Sequence, residues 1–128
     1  MSGAEGDTRI LVVDDERAIR DWAASALERS GYSVVAVASA SEALRILSAG
    51  AGDINLVLTD IRMPEIDGIE LARCVRALHP TTKVIYMTGF SPELPDPGST
   101  VLYKPFTFKT LIDEVARVLA GRTKSIMG

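Results

Sequence analysis

Four aliphatic runs in this chain lead into residues suited to phosphoryl chemistry. Ile10 to Val13 leads into Asp14 and Asp15, and Leu56 to Thr59 into Asp60. Val84 to Met87 leads into Thr88, and Val101 to Tyr103 into Lys104 and Pro105. If these runs are parallel strands, their carboxylates, hydroxyl and amine leave one edge of a sheet, where open α/β sheets bind ligands. Clustered carboxylates repel and raise one another's pKa. A hard divalent cation relieves that cost. Mg²⁺ suits the task because it takes oxygen ligands and keeps several waters. Bound there, it would offset the charge of an incoming phosphoryl group. An aspartate can act as nucleophile and carry an acyl phosphate. Lys104 offers a compact charge for a phosphate oxygen, and the Thr88 hydroxyl can bond another. Residue types alone do not say which aspartate is the nucleophile.

The segments between the runs must bring these residues together. Glu16 to Ser30 reads as a helix, with Ile19, Trp22, Ala23, Ala26 and Leu27 on one face. Gly31 is placed to stop it. Ser33 to Val37 is a β-branched strand. Ser39 with Glu42 forms a capping-box pattern ahead of Leu44 and Leu47, a helix that lasts until Gly50. Asp67-Gly68-Ile69-Glu70 opens another helix, whose buried stripe is expected to be Leu71, Ala72, Val75 and Leu78, with Ile69 at its edge. His79-Pro80 ends it. Ser91 to Ser99 holds Pro92, Pro95, Pro97 and Gly98 and is a poor helix. Thr107 caps a last helix with the stripe Phe108, Leu111, Ile112, Val115, Val118 and Leu119, and Gly121 ends it. Alternating strands and helices imply a parallel sheet covered on both faces. With right-handed crossovers, a strand order of 2-1-3-4-5 brings Asp14, Asp15 and Asp60 together at the switch point.

The 128 residues fit one domain, expected to span 9–120 between a flexible N-terminal arm, 1–8, and a C-terminal tail, 121–128. The hydrophobic content of 47% supports a real core. The net charge of −3 gives no basic footprint and argues against a nucleic-acid partner. No apolar run approaches the ~20 residues of a membrane span. Met1 to Thr8 has neither a basic nor an apolar signal region. The single Cys74 excludes an internal disulfide. A cytoplasmic location is the expectation.

Taken in order, Val13-Asp14-Asp15-Glu16, Asp60-Ile61-Arg62-Met63-Pro64, Asp67-Gly68, Met87-Thr88-Gly89 and Lys104-Pro105-Phe106 resemble a response-regulator receiver domain of bacterial two-component signalling. The resemblance implies an α/β fold of the flavodoxin or CheY-like (βα)5 kind, with a five-stranded parallel sheet. It implies that Asp60 is the phospho-acceptor. Asp15 would ligate Mg²⁺ directly, Asp14 largely through water, and the backbone carbonyl of Arg62 would join them. Thr88 and Lys104 would bind the phosphoryl group, and the Lys104-Pro105 bond would be cis. The implied donor is a histidine kinase or a histidine phosphotransfer protein. The domain would catalyse only its own phosphorylation and dephosphorylation, and would bias a pre-existing equilibrium between two states. The family reads this out through the fourth helix, fifth strand and fifth helix.

The chain departs from the family between Thr88 and Lys104. That interval is shorter than usual and rich in proline, so the fourth helix is expected to be shortened or missing. The aromatic switch position falls on Val101, while Tyr103 points the opposite way to Leu102. Switching is therefore expected to use the Gly89 to Ser99 loop. Arg62 and Phe90 occupy positions that tune phosphoryl lifetime in the family, and Phe90 is expected to screen the acceptor from water.

Plainer readings compete at single positions. Asp14 or Asp15 could simply cap a helix, and Lys104-Pro105 could be a turn. Asp67-Gly68 reads as a cap, His79 as a surface residue, Cys74 as packing and Trp22 as partly buried. Arg73 and Arg76 read as a solvated face. The leading function is a single-domain response regulator, a monomer or weak dimer, that signals by contact with an unidentified output protein. Asp67 to Arg73, Met87 to Phe90 and Val101 to Phe106 further resemble stand-alone receivers of the CpdR type, adaptors for regulated proteolysis. Two alternatives are a receiver cut from a hybrid histidine kinase and a Mg²⁺-dependent aspartyl-phosphate phosphohydrolase.

Overall fold

The aliphatic runs pair as parallel strands. The computed structural model describes residues 8–50, 53–90 and 99–121. In chain order these form β1 (Arg9–Val13), α1 (Arg17–Arg29), β2 (Ser33–Val37), α2 (Ala40–Ala49), β3 (Leu56–Asp60), α3 (Gly68–Leu78), β4 (Lys83–Thr88), β5 (Thr100–Tyr103) and α4 (Phe108–Leu119). The sheet has five strands in the order β2-β1-β3-β4-β5, as the sequence predicts. The expected short or missing helix falls largely on residues 91–98, outside the described residues. Most of the arm and tail, residues 1–7 and 122–128, also lie outside them.

Strand side chains alternate between two faces. Ile10, Val12, Leu58, Ile85 and Met87 pack with Ala23 and Leu27 of α1 and Leu111 and Val115 of α4. Leu11, Val13 and Val57 pack with Ala43 and Leu47 of α2 and Leu71 and Val75 of α3. Covering both faces explains why β1 and β3 read as unbroken apolar runs rather than alternating ones. Each fully buried Leu or Ile contributes about 1.5–3 kcal/mol.

The predicted caps form. Ser39 accepts from the Glu42 N–H, Asp67 from that of Glu70 and Thr107 from that of Thr110. Glu42 in turn accepts from the N–H of Ala38, one residue before the cap. Gly31 takes a left-handed φ of 101° just past α1. Two stripe assignments need correction. Leu78 and Phe108 are 50% and 43% exposed, each standing at a terminus of its helix. Phe108 instead lies under the Arg29 guanidinium. His79 is half-buried rather than free on the surface. It caps α3, and its Nε2 sits 2.8 Å from the Leu47 carbonyl oxygen, tying α3 to α2.

Candidate phosphoryl site

Register brings the functional residues to one edge. Val13 pairs with Thr59, Asp60 with Met87, and Thr88 with Tyr103, so the strand ends lie level. Backbone bonds continue past the strands and hold the loops. Asp14 N–H donates to Val37, Ile61 N–H to Met87 and Lys104 N–H to Thr88. The Lys104-Pro105 peptide is cis.

Asp14 is fully buried, Asp60 nearly so, and Asp15 is exposed. Asp14 Oδ1 accepts from the Glu16 N–H at 2.8 Å, and Arg20 donates to the Asp14 carbonyl at 3.0 Å. Lys104 Nζ bridges the buried acids, 3.0 Å from Asp14 Oδ2 and 3.2 Å from Asp60 Oδ2. Glu16 stands 3.7 Å from the same amine. Thr88 is buried, and its Oγ1 accepts from the Phe90 N–H at 3.2 Å. Burial pushes the Asp60 carboxyl pKa above 3.8, with Asp14 adding to it. Lys104 and the Arg62 N–H act in the opposite sense. Burial alone would lower the Lys104 pKa, but Asp14 and Asp60 outweigh it and raise the value above 10.5.

Asp14, Asp15 and Asp60 each present an oxygen, and these atoms lie within 4.8 Å of one another. All three are hard anionic donors, two of them buried, and Asp15 faces solvent that can complete a hydrated shell. This donor set fits Mg²⁺, the cofactor such a site takes. Arg62 is exposed, and its guanidinium stacks 4.3 Å over the Phe90 ring. Both residues line an open cavity of about 610 Å³ with Ile61, Met63, Pro64, Asp67 and Ile69.

Two neighbours escaped the sequence reading. Gly68, read only as part of a cap, lies so close to the strand that a Cβ there would fall 2.2 Å from the Asp60 carbonyl oxygen. Its N–H donates to Ile61 at 2.8 Å. Tyr86, in the middle of β4, is 1% exposed, and its hydroxyl has no hydrogen-bond partner among the described residues. A strand sequence reports that an aromatic is buried, but not whether a partner awaits its polar tip. Val101 pairs in register with this tyrosine. Leu102 is buried and Tyr103 exposed, in keeping with their expected opposite facing.

The response regulator receiver domain family matches residues 10–116. The chain is 37% identical over 117 residues to the response regulator receiver protein CpdR of Brucella abortus, covering 87% of this chain and 96% of that protein. It is 38% identical over 120 residues to the sensor kinase CckA of the same organism, where it covers 89% of this chain but spans only 13% of the relative. A receiver protein structure from Sinorhizobium medicae superposes with a TM-score of 0.82 at 35% identity, covering 90% of this chain and 96% of that one. The response regulator TrrA of Thermotoga maritima, solved with Mg²⁺ and BeF, gives a TM-score of 0.77 at 33% identity over 87% of this chain and 98% of that one. Receivers in this family take phosphoryl groups from histidine kinases or phosphotransfer proteins and act as signalling phosphoacceptors. By sequence match and by fold, the chain belongs to the response regulator receiver domain family.

Proposed function

We propose that Asp60 is the phosphoacceptor and that the chain works as a single-domain response regulator. The observation that carries this is its setting. It ends the central strand β3, its side chain is 10% exposed, and Lys104 lies within reach at 3.2 Å. An Asp60 oxygen attacks the phosphorus of a phosphohistidine. The P–N bond breaks, its electron pair returns to the imidazole, and an acyl phosphate remains. Mg²⁺ bound by Asp14, Asp15, Asp60 and the Arg62 carbonyl would supply charge neutralisation at the phosphoryl oxygens. Lys104 then trades its contact with Asp60 for a phosphate oxygen. Thr88 rotates its hydroxyl from Phe90 to another. In this reading the protein turns over only its own phosphoryl group, and water later hydrolyses the acyl phosphate.

Phe90 and the Arg62 stacked on it, each two residues past Thr88 and Asp60 respectively, are proposed to slow that water. The output is contact with a protein partner in the cytoplasm, a compartment where an unpaired Cys74 is at home. The likeness to CpdR supports a role as a proteolysis adaptor. The match to a small part of the CckA kinase favours a second reading, a receiver belonging to a hybrid kinase. The surrounding reading frame separates the two. The acceptor itself is tested with acetyl phosphate and Mg²⁺, followed by borohydride trapping and mass spectrometry. The label is expected on Asp60 and absent from Asp60→Asn. Undiminished labelling of that variant would overturn the assignment.

A further inference from the structure

Tyr86 is a buried polar group that no step above uses. Its ring packs with Ile61 and Ala72, against partly buried Ile69, Phe90 and Val101. Its hydroxyl is buried and has no hydrogen-bond partner among the described residues. Leaving a buried hydroxyl unpaired is unfavourable, because it has given up water and gained nothing. Such a group in a native state calls for a reason. The surroundings supply one. Tyr86 and Thr88 are two apart on β4 and share a face of the strand. Thr88 Oγ1 holds the Phe90 N–H, and the Phe90 ring packs on the Tyr86 cluster. One residue, Phe90, thus joins the Thr88 hydroxyl to the cluster that holds the Tyr86 ring.

We propose that the Tyr86 hydroxyl is a built-in bias against the resting conformation, relieved when phosphorylation draws Thr88 away from Phe90. The released Phe90 shifts off the cluster, and water reaches the Tyr86 hydroxyl. Part of the preference for the phosphorylated state is therefore stored beforehand as an unmade hydrogen bond. The register partner of Tyr86 is Val101, which stands where the family carries its aromatic switch. The bulk that couples to the threonine lies instead on the neighbouring strand. This inference rests on the reading of Asp60 as acceptor and Thr88 as phosphate ligand.

Tyr86→Phe keeps the ring and deletes only the orphaned oxygen. Without ligands, its Tm is expected to rise by about 3–6 °C. Calorimetric titration with beryllofluoride in excess Mg²⁺ is expected to show affinity weakened about tenfold, or about 1.4 kcal/mol, because the bias toward the activated state is gone. Affinity for Mg²⁺ alone is expected to stay within about twofold, since the metal makes no call on Thr88. An unchanged or lower Tm, or undiminished beryllofluoride affinity, overturns the inference. Wild type that binds no beryllofluoride would overturn the acceptor reading, and this one with it. Wild type that binds it as tightly as Tyr86→Phe does would remove only the role of the tyrosine.

Discussion

Replacing Gly68 with alanine tests how Asp60 is held. Gly68 is the first residue of α3, and its φ is not positive, so its backbone would accept a side chain. The obstacle is space. An added Cβ meets the Asp60 carbonyl oxygen at 2.2 Å, and the Asp60 carbonyl carbon and Ile61 Cα at 3.0 Å. The first contact is well over an ångström short of an ordinary 3.4 Å separation, and every clashing atom is backbone, so no rotamer change relieves it. Overpacking costs typically about 1–3 kcal/mol, here at the upper end, while alanine recovers up to about 1 kcal/mol of helix propensity. The net expectation is a loss of about 2 kcal/mol, read as a drop in Tm of about 4–8 °C. The helix and strand must part, and Asp60 moves with the strand. A misplacement near 1 Å can cost about 10²-fold in rate. The phosphorylation rate with acetyl phosphate, followed on phosphate-affinity gels, should fall by about that factor. Gly50→Ala is the control. Its φ of 65° strains an alanine, but nothing lies within 4 Å of the added carbon. It should lose about 1 kcal/mol and keep its phosphorylation rate. A Gly68→Ala protein with stability within about 0.5 kcal/mol of wild type and an unaltered rate would refute the close-approach argument.

Asp60→Asn should stabilise the metal-free protein at neutral pH. The folded pKa of Asp60 is raised, so its ionisation opposes folding once pH exceeds the ordinary 3.8 and increasingly up to the folded value. Melting curves should show the variant's advantage vanish as pH falls toward 3.8, and wild type alone should gain markedly from added Mg²⁺. Lys104→Met leaves Asp14 and Asp60 facing each other without their shared cation. Urea denaturation at neutral pH should record a loss of about 3 kcal/mol, largely restored by Mg²⁺, and failure of Mg²⁺ to restore it would count against the metal site. Glu65 holds a left-handed φ of 68° in the loop after Asp60. Glu65→Gly should therefore gain about 1 kcal/mol in the same assay, with the phosphorylation rate as a second reading of loop integrity. Phe90→Ala should shorten the acyl-phosphate half-life in a phosphate-release assay, and an unchanged half-life would remove its proposed screening role.

Much of this fold was legible because its signals are local. Unbroken apolar runs marked strands covered on both faces, and Ser39, Asp67 and Thr107 each marked a helix start by their own hydrogen-bonding chemistry. The strand order follows from topology rules, and it alone brings Asp14, Asp15 and Asp60 together at the sheet edge. What stayed hidden depends on distances between segments remote in sequence. Helical periodicity assigned Leu78 and Phe108 to buried faces, but it does not report where the opposing sheet ends. The dipeptide Asp67-Gly68 announces a cap. Nothing in it announces that the helix presses on the backbone of Asp60. His79 gained a partner 32 positions away. Tyr86 reads as an ordinary strand aromatic, and only the structure shows that its hydroxyl has no partner among the described residues.

The amine of Lys104 grips carboxylates 90 and 44 positions earlier in the chain. During synthesis, a ribosome that has released β1 and β3 has delivered all three aspartates but not their counter-charge. Contacts of such long sequence separation close late, after the loop entropy between them has been overcome. A nascent or partly folded chain therefore shows a kinase an acceptor with no lysine beside it and no sheet edge to hold it. The last strand to arrive completes the chemistry, so competence to receive a phosphoryl group reports that the whole sheet has closed.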